Sequence, residues 1–180
     1  MELADKQGLL RHGREIVLPV TPVDPRDLFR GDYVILGYAV AQVPGPAGES
    51  GKLDPGPIVP GKATPAAALR PRTPLYATLE QQADGGWQAV ASSRTHPGSV
   101  ATNQVVLQGR TNERPWSRPG TVQLRYGIES YFVPEGTGKP LEDSVREKKI
   151  QALIAVAKDG TAAIKGLIID GERHEDPPLL

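Results

Sequence analysis

Prolines and glycines recur so often along this chain that short strands joined by tight turns suit it better than long helices. Its 180 residues include 18 prolines and 20 glycines. Proline lacks the backbone donor that a helix interior needs, and glycine costs backbone entropy there. The 38% of apolar residues can still supply one domain with a core. The sequence therefore predicts a mainly β fold, either an antiparallel β-sandwich or two small packed β-barrel-like sheets. About eight to ten strands are expected, with one short helix near 140–149.

Strand periodicity locates the elements. From Arg14 to Val20 the residues alternate, with Ile16, Leu18 and Val20 on one face and Glu15, Val17 and Pro19 on the other. Pro19 suggests an edge strand, because it cannot donate to a ladder. Residues 32–42 read as a central strand. Asp32, Val34, Leu36, Tyr38 and Val40 share one face, Tyr33, Ile35, Gly37 and Ala39 the other, and both faces are largely apolar. Leu75–Gln82 and Trp87–Ser92 predict a hairpin across Asp84-Gly85, and Asn103–Thr111 a further strand. Residues 121–133 read as the longest strand. Val122, Leu124, Tyr126, Ile128, Ser130 and Phe132 point one way; Gln123, Arg125, Gly127, Glu129, Tyr131 and Val133 point the other. Ile150–Ala157 and Thr161–Asp170 predict a second hairpin across Asp159-Gly160.

The helix is expected from Pro140 to Lys149. Pro140 suits a first turn, Glu142 and Asp143 sit near the positive end of the dipole, and Lys148 and Lys149 near the negative end. Residues 1–12 form a polar lead-in with helical character. Residues 43–73 carry seven prolines and no clear period, so they read as a long irregular excursion with a helical turn at 65–69.

Charge and composition exclude several function classes. Twenty-one basic and 21 acidic residues give zero net charge, which argues against nucleic acid as a partner. Cysteine is absent, so disulfides and thiolate metal sites are excluded. No stretch approaches the roughly 20 apolar residues of a membrane span, and the N-terminus carries no signal-peptide core.

The octet Gly31-Asp32-Tyr33-Val34-Ile35-Leu36-Gly37-Tyr38 resembles the pattern that names the GDYxxLxY protein family. Residues 4–38 resemble that family's opening, the run from Tyr126 to Gly136 its second signature, and residues 152–171 its closing hairpin. The resemblance implies a hydrophobic helix ahead of Ala4, which these 180 residues lack, so that Met1 would follow a truncation or a trimmed gene start. It implies membrane anchoring through that helix alone, a domain outside the cytoplasm (periplasmic), and a multi-span membrane protein as partner. Without such a helix the chain is expected to be soluble. No catalytic residue set comes with the resemblance. On this basis the chain divides into a juxtamembrane lead-in (1–12), one β-rich domain (13–172) and a tail (173–180), with residues from 171 on expected to fray.

The residues that carry chemistry point to binding. Arg125, Glu129 and Tyr131 lie on one face of the expected long strand, with Arg125 and Glu129 about 13 Å apart along it. Their simplest role is a solvated sheet face; their functional role is a groove for a peptide or partner, since interface hot spots favour Arg and aromatic residues. Asp32, Tyr33, Tyr38, Tyr126 and Glu135, from the two signatures, complete the candidate binding set. Against that, Asp32 is also suited to capping a turn, and Tyr33 and Tyr38 point to opposite faces, so at least one belongs in a core.

Enzyme readings fare less well. Signal-peptidase-like β enzymes also send a Gly-Asp pair into an apolar strand, with a nucleophilic serine nine residues before the Asp; that position is Val23 here. Ser144 and Lys148 lie at helical spacing, but a base lysine needs burial and this segment is mostly charged. Gly136-Thr137-Gly138-Lys139 lacks the first glycine and the final hydroxyl of a phosphate-binding loop. His12, His96 and His174 stand singly, without metal-site spacing. No catalytic residue, metal or cofactor is assigned. The expected function is a non-catalytic extracytoplasmic β domain of a membrane-associated assembly, binding a protein partner. The alternatives are an extracytoplasmic hydrolase or a small-ligand sensor using the Arg125/Glu129/Tyr131 face.

Overall fold

The computed structural model describes residues 3–21, 29–30, 33–46, 69, 71–118, 120–132, 147 and 150–175. Among them lie one α-helix, α1 (Leu3–His12), and thirteen strands. These are β1 (Arg14–Thr21), β2 (Phe29–Arg30), β3 (Tyr33–Ile35), β4 (Gly37–Tyr38), β5 (Gln42–Pro44), β6 (Pro74–Gln81), β7 (Trp87–Ser93), β8 (Gln104–Arg118), β9 (Thr121–Arg125), β10 (Ser130–Phe132), β11 (Ile150–Val156), β12 (Ala162–Ile169) and β13 (Glu172–Glu175). One five-stranded sheet runs β13-β12-β11-β1-β4, and a second β5-β9-β8-β6-β7; a three-stranded sheet runs β10-β3-β2. The expected mainly β, antiparallel architecture is what forms. No barrel closes among the described strands.

Alternation decides which side chains go inward. In β1, Ile16, Leu18 and Val20 are buried while Glu15 and Pro19 are exposed. Along Arg14–Pro19 this strand pairs with β11, and it meets β4 only at Val20 and Thr21, which suits a proline at position 19. Leu75, Ala77 and Leu79 of β6 turn inward in the same way. One continuous core joins the two large sheets: Ile16, Leu18 and Ile154 from the first pack with Leu75, Leu107 and Leu124 from the second. Each such side chain contributes about 1.5–3 kcal/mol by leaving water. β11 is buried on both faces, because α1 covers its outer side through Leu9, which packs with Ala155 and Ala163.

Both predicted hairpins form. In each, an aspartate at the turn accepts a backbone N–H two residues on: Asp84 from Gly86 and Asp159 from Thr161, both at 2.9 Å. The second sheet also curls until its edges meet. The Ser92 hydroxyl on β7 donates to the carbonyl of Pro44 on β5, closing a seam that has no strand ladder.

Four expectations need correction. The strand read over 32–42 is broken into β3, β4, a 3-10 turn at Ala39–Ala41 and β5, which serve three different sheets. Leu36, Tyr38 and Val40 are buried as expected, but Ala39 is exposed, so the segment is a crossover and not a central strand. The strand read over 121–133 stops at Arg125 and resumes as β10 in another sheet; the longest described strand is β8, with 15 residues. The start of the tail does not fray: Asp170 and Gly171 turn the chain back, and β13 (Glu172–Glu175) pairs with β12. The excursion at 43–73 begins late, since Val43 and Pro44 belong to β5. The helix expected at 140–149 lies outside the described residues except for Glu147, which is in a turn. The helical turn at 65–69 lies outside them except for Leu69, which is buried in the core.

Candidate functional site

The break after β9 builds the site. Val122, Leu124, Tyr126 and Ile128 all stay on the buried face, so alternation runs through the interruption. The ladder cannot follow, because Gly127 adopts a φ of 83°, a conformation open mainly to glycine. The Glu129 carboxylate then accepts the backbone N–H groups of Tyr126 at 2.6 Å and Gly127 at 3.0 Å, capping the turn. The Glu129 carbonyl receives the N–H of Leu36 at 2.7 Å.

Two buried tyrosines fasten this turn to the crossover. Tyr38 donates its hydroxyl to the carbonyl of Ile128 at 2.7 Å, and Tyr126 donates to Val40 at 2.6 Å. Burial, with the Glu129 carboxylate adding to it, pushes both phenols above their ordinary range, so they remain neutral donors. The Tyr126 ring has room because residue 109 is glycine: a Cβ there would stand 3.0 Å from the ring.

A groove of about 730 Å³ opens beside the turn, lined by Arg72, Arg110, Arg125, Glu129 and Ser130 among others. Arg110 and Arg125 face each other across β8 and β9. Arg72 comes from the loop before β6 and holds a φ of 62°, which a non-glycine residue adopts at a cost. Hydrogen bonds fix it there: its N–H donates to the Thr111 carbonyl at 2.9 Å, and its own carbonyl accepts from the Arg110 guanidinium at 3.4 Å. Among the described residues three guanidinium groups thus line one groove with a single carboxylate, and both oxygens of that carboxylate already accept backbone N–H groups. The lining, among the described residues, contains no histidine or lysine to serve as a base. Its chemistry is recognition of anionic groups, for which the guanidinium fork is well shaped.

Both signatures meet in this arrangement: Leu36 and Tyr38 of the octet contact Ile128 and Glu129 of the second run. The family model described as GDYXXLXY protein matches residues 1–167. The chain belongs to the GDYXXLXY protein family. No curated protein and no solved structure gives a significant match. In this GDYXXLXY protein the fixed Leu36 and Tyr38 of the octet are core residues. No helix among the described residues is long and apolar enough to cross a membrane.

The candidate binding residues separate into groups. Arg125 and Glu129 are brought together in the groove, Arg125 as an exposed cation and Glu129 as the turn cap. Tyr38 and Tyr126 are buried fasteners. Tyr131, on β10 opposite Val34, is half-buried against the core and does not line the groove. Tyr33 lies in β3 with its backbone paired to Phe132 and Arg30, and its side chain lies outside what is described. Asp32 and Glu135 lie outside the described residues. Among the described residues no cluster of three or more His, Asp or Glu could hold a metal ion. Sequence reasoning missed Arg72 and Arg110. The signal for Arg110 was its position on the Asn103–Thr111 strand, but its pairing with Arg125 depends on a register that periodicity does not give. Arg72 sits at the end of the proline-rich excursion, where no period exists.

Proposed function

We propose that this GDYXXLXY protein is a non-catalytic binding domain of a membrane-associated assembly outside the cytoplasm, and that its arginine groove takes an acidic segment of a protein partner. One observation carries the reading: Arg110 stands opposite Arg125 on paired strands, with Arg72 on the same groove. Like charges directly opposite destabilise a sheet, by about 0.2–1 kcal/mol. In a chain of zero net charge such a concentration of one sign is local, and an acidic ligand would offset its cost. Arginine is also enriched at the anchoring positions of protein interfaces. The membrane setting and a multi-span partner rest on the family resemblance.

The test combines capture with competition. The full chain is used as bait for membranes solubilised in mild detergent, with the double variant R110E/R125E as the paired control. A membrane protein retained by the wild type, lost with the double variant and displaced by poly-glutamate supports the reading. Capture of no membrane protein, or capture indifferent to both the charge reversal and the polyanion, overturns it.

A further inference from the structure

A second groove, of about 890 Å³, shares no lining residue with the first. It runs between the C-terminal end of α1, the loop at 94–100 and the tip of the β11–β12 hairpin. His96 lines it and holds an unusual state. Its Nδ1 accepts the N–H of Gly98 at 3.0 Å, which leaves the ring proton of the neutral imidazole on Nε2. That Nε2 is buried and has no hydrogen-bond partner among the described residues. A buried donor without an acceptor is costly, and in native structures it calls for an explanation. Since Nε2 carries the proton, it is a donor and not a metal ligand. What Nε2 lacks, among the described residues, is an acceptor.

The surroundings narrow the chemistry of that acceptor. Among the described residues Arg14 and Lys158 line the groove against one carboxylate, Asp159, whose Oδ1 already receives the Thr161 N–H at 2.9 Å. The Arg14 guanidinium is committed to the carbonyls of Gln104 at 2.6 Å and Thr102 at 2.7 Å, so Lys158 is the exposed cation better placed to meet a ligand. Val100 also lines the groove, and it is one of two large apolar side chains exposed among the described residues.

We propose that this groove binds a small amphiphilic carboxylate, its alkyl chain lying on Val100 and its carboxylate accepting from His96 Nε2–H beside Lys158. Entry requires a rotation of the 94–100 loop, because Nε2 is closed to solvent. The loop is suited to that, since every residue in it except His96 is exposed. The ring itself is seated edge-on to Tyr76, with centroids 5.4 Å apart.

Octanoate is the probe, titrated into the full chain, with octan-1-ol as its uncharged match and acetate as its tail-less match. Saturable octanoate binding is expected, with a displaced His96 Nε2 resonance and Gly98 amide in NMR spectra. Octanol and acetate should bind at least roughly tenfold more weakly. H96F keeps a ring against Tyr76 and removes the donor, and should weaken octanoate at least roughly tenfold. K158Q should weaken it by a smaller factor, and R110E/R125E should leave it unchanged. Equal affinity for octanoate and octanol, an undisturbed His96 ring at saturation, or no saturation in the millimolar range each overturn the proposal. The ring resonance of the wild type decides the matter even if H96F does not fold.

Discussion

Tyr38 and Tyr126 each donate a hydrogen bond to the segment that carries the other: Tyr38 to Ile128 at 2.7 Å, Tyr126 to Val40 at 2.6 Å. The two segments belong to distant parts of the chain and contribute strands to three sheets. Y38F and Y126F each strip a buried carbonyl of its partner, and each should lower unfolding free energy by about 1–2 kcal/mol in urea denaturation. A double-mutant cycle should give a coupling above about 0.5 kcal/mol, because both bonds close one junction. Strict additivity would show that the two bonds act separately.

Gly127 should tolerate no side chain without strain. With φ at 83°, G127A should cost about 1 kcal/mol or more. E129Q should cost about 1.5–3 kcal/mol, since its amide group would confront one of the two N–H groups that the carboxylate now accepts. Denaturant midpoints of the two variants check both values. An unchanged midpoint for E129Q would mean that the turn holds without its cap.

Arg125 should be costly to the fold and needed for binding. R125Q relieves the like-charge pair with Arg110, so stability should hold or rise, by up to about 1 kcal/mol, while capture of the acidic partner falls. A variant that loses stability and keeps its partner would reverse the assignment.

Acid should weaken the protein through two carboxylates. The hydrogen bond from Lys165, at 3.1 Å, holds the Glu15 carboxyl below its usual range, with Arg173 adding to it. The N–H of Thr161 does the same for Asp159. A carboxyl lowered on folding contributes stability above its unfolded value, about 3.9 for Asp and 4.3 for Glu, and that contribution is lost as pH falls through the folded value. Urea midpoints should therefore decline below about pH 4, and E15Q/D159N should flatten the decline. Glu15 is 37% exposed, so solvent screening keeps its share small.

What the sequence disclosed follows from the range of the forces involved. Ile16, Leu18 and Val20 announce a strand face because alternation is local, and Asp84-Gly85 and Asp159-Gly160 announce turns for the same reason. The break at Gly127 stayed hidden because Tyr126 and Ile128 keep to the buried face on both sides of it. Only the glycine hinted at a change of sheet. Tyr38 and Tyr126 looked like surface candidates because a tyrosine hydroxyl fits either setting, and only the carbonyls of Val40 and Ile128 decide between them. The Arg110–Arg125 pair depends on strand register, which no local pattern encodes.

The seam between β5 and β7 has its own consequence. Among the described residues one serine hydroxyl on one proline carbonyl bridges it where a row of amides would hold a closed barrel, and that bond contributes about 1 kcal/mol beside the packing of the buried Val43. The curled sheet is therefore a cuff with a clasp. Backbone amides bordering the slit should trade their hydrogens for deuterium sooner than those of β6 and β8, and S92A should leave the cuff unfastened without dismantling the weave behind it.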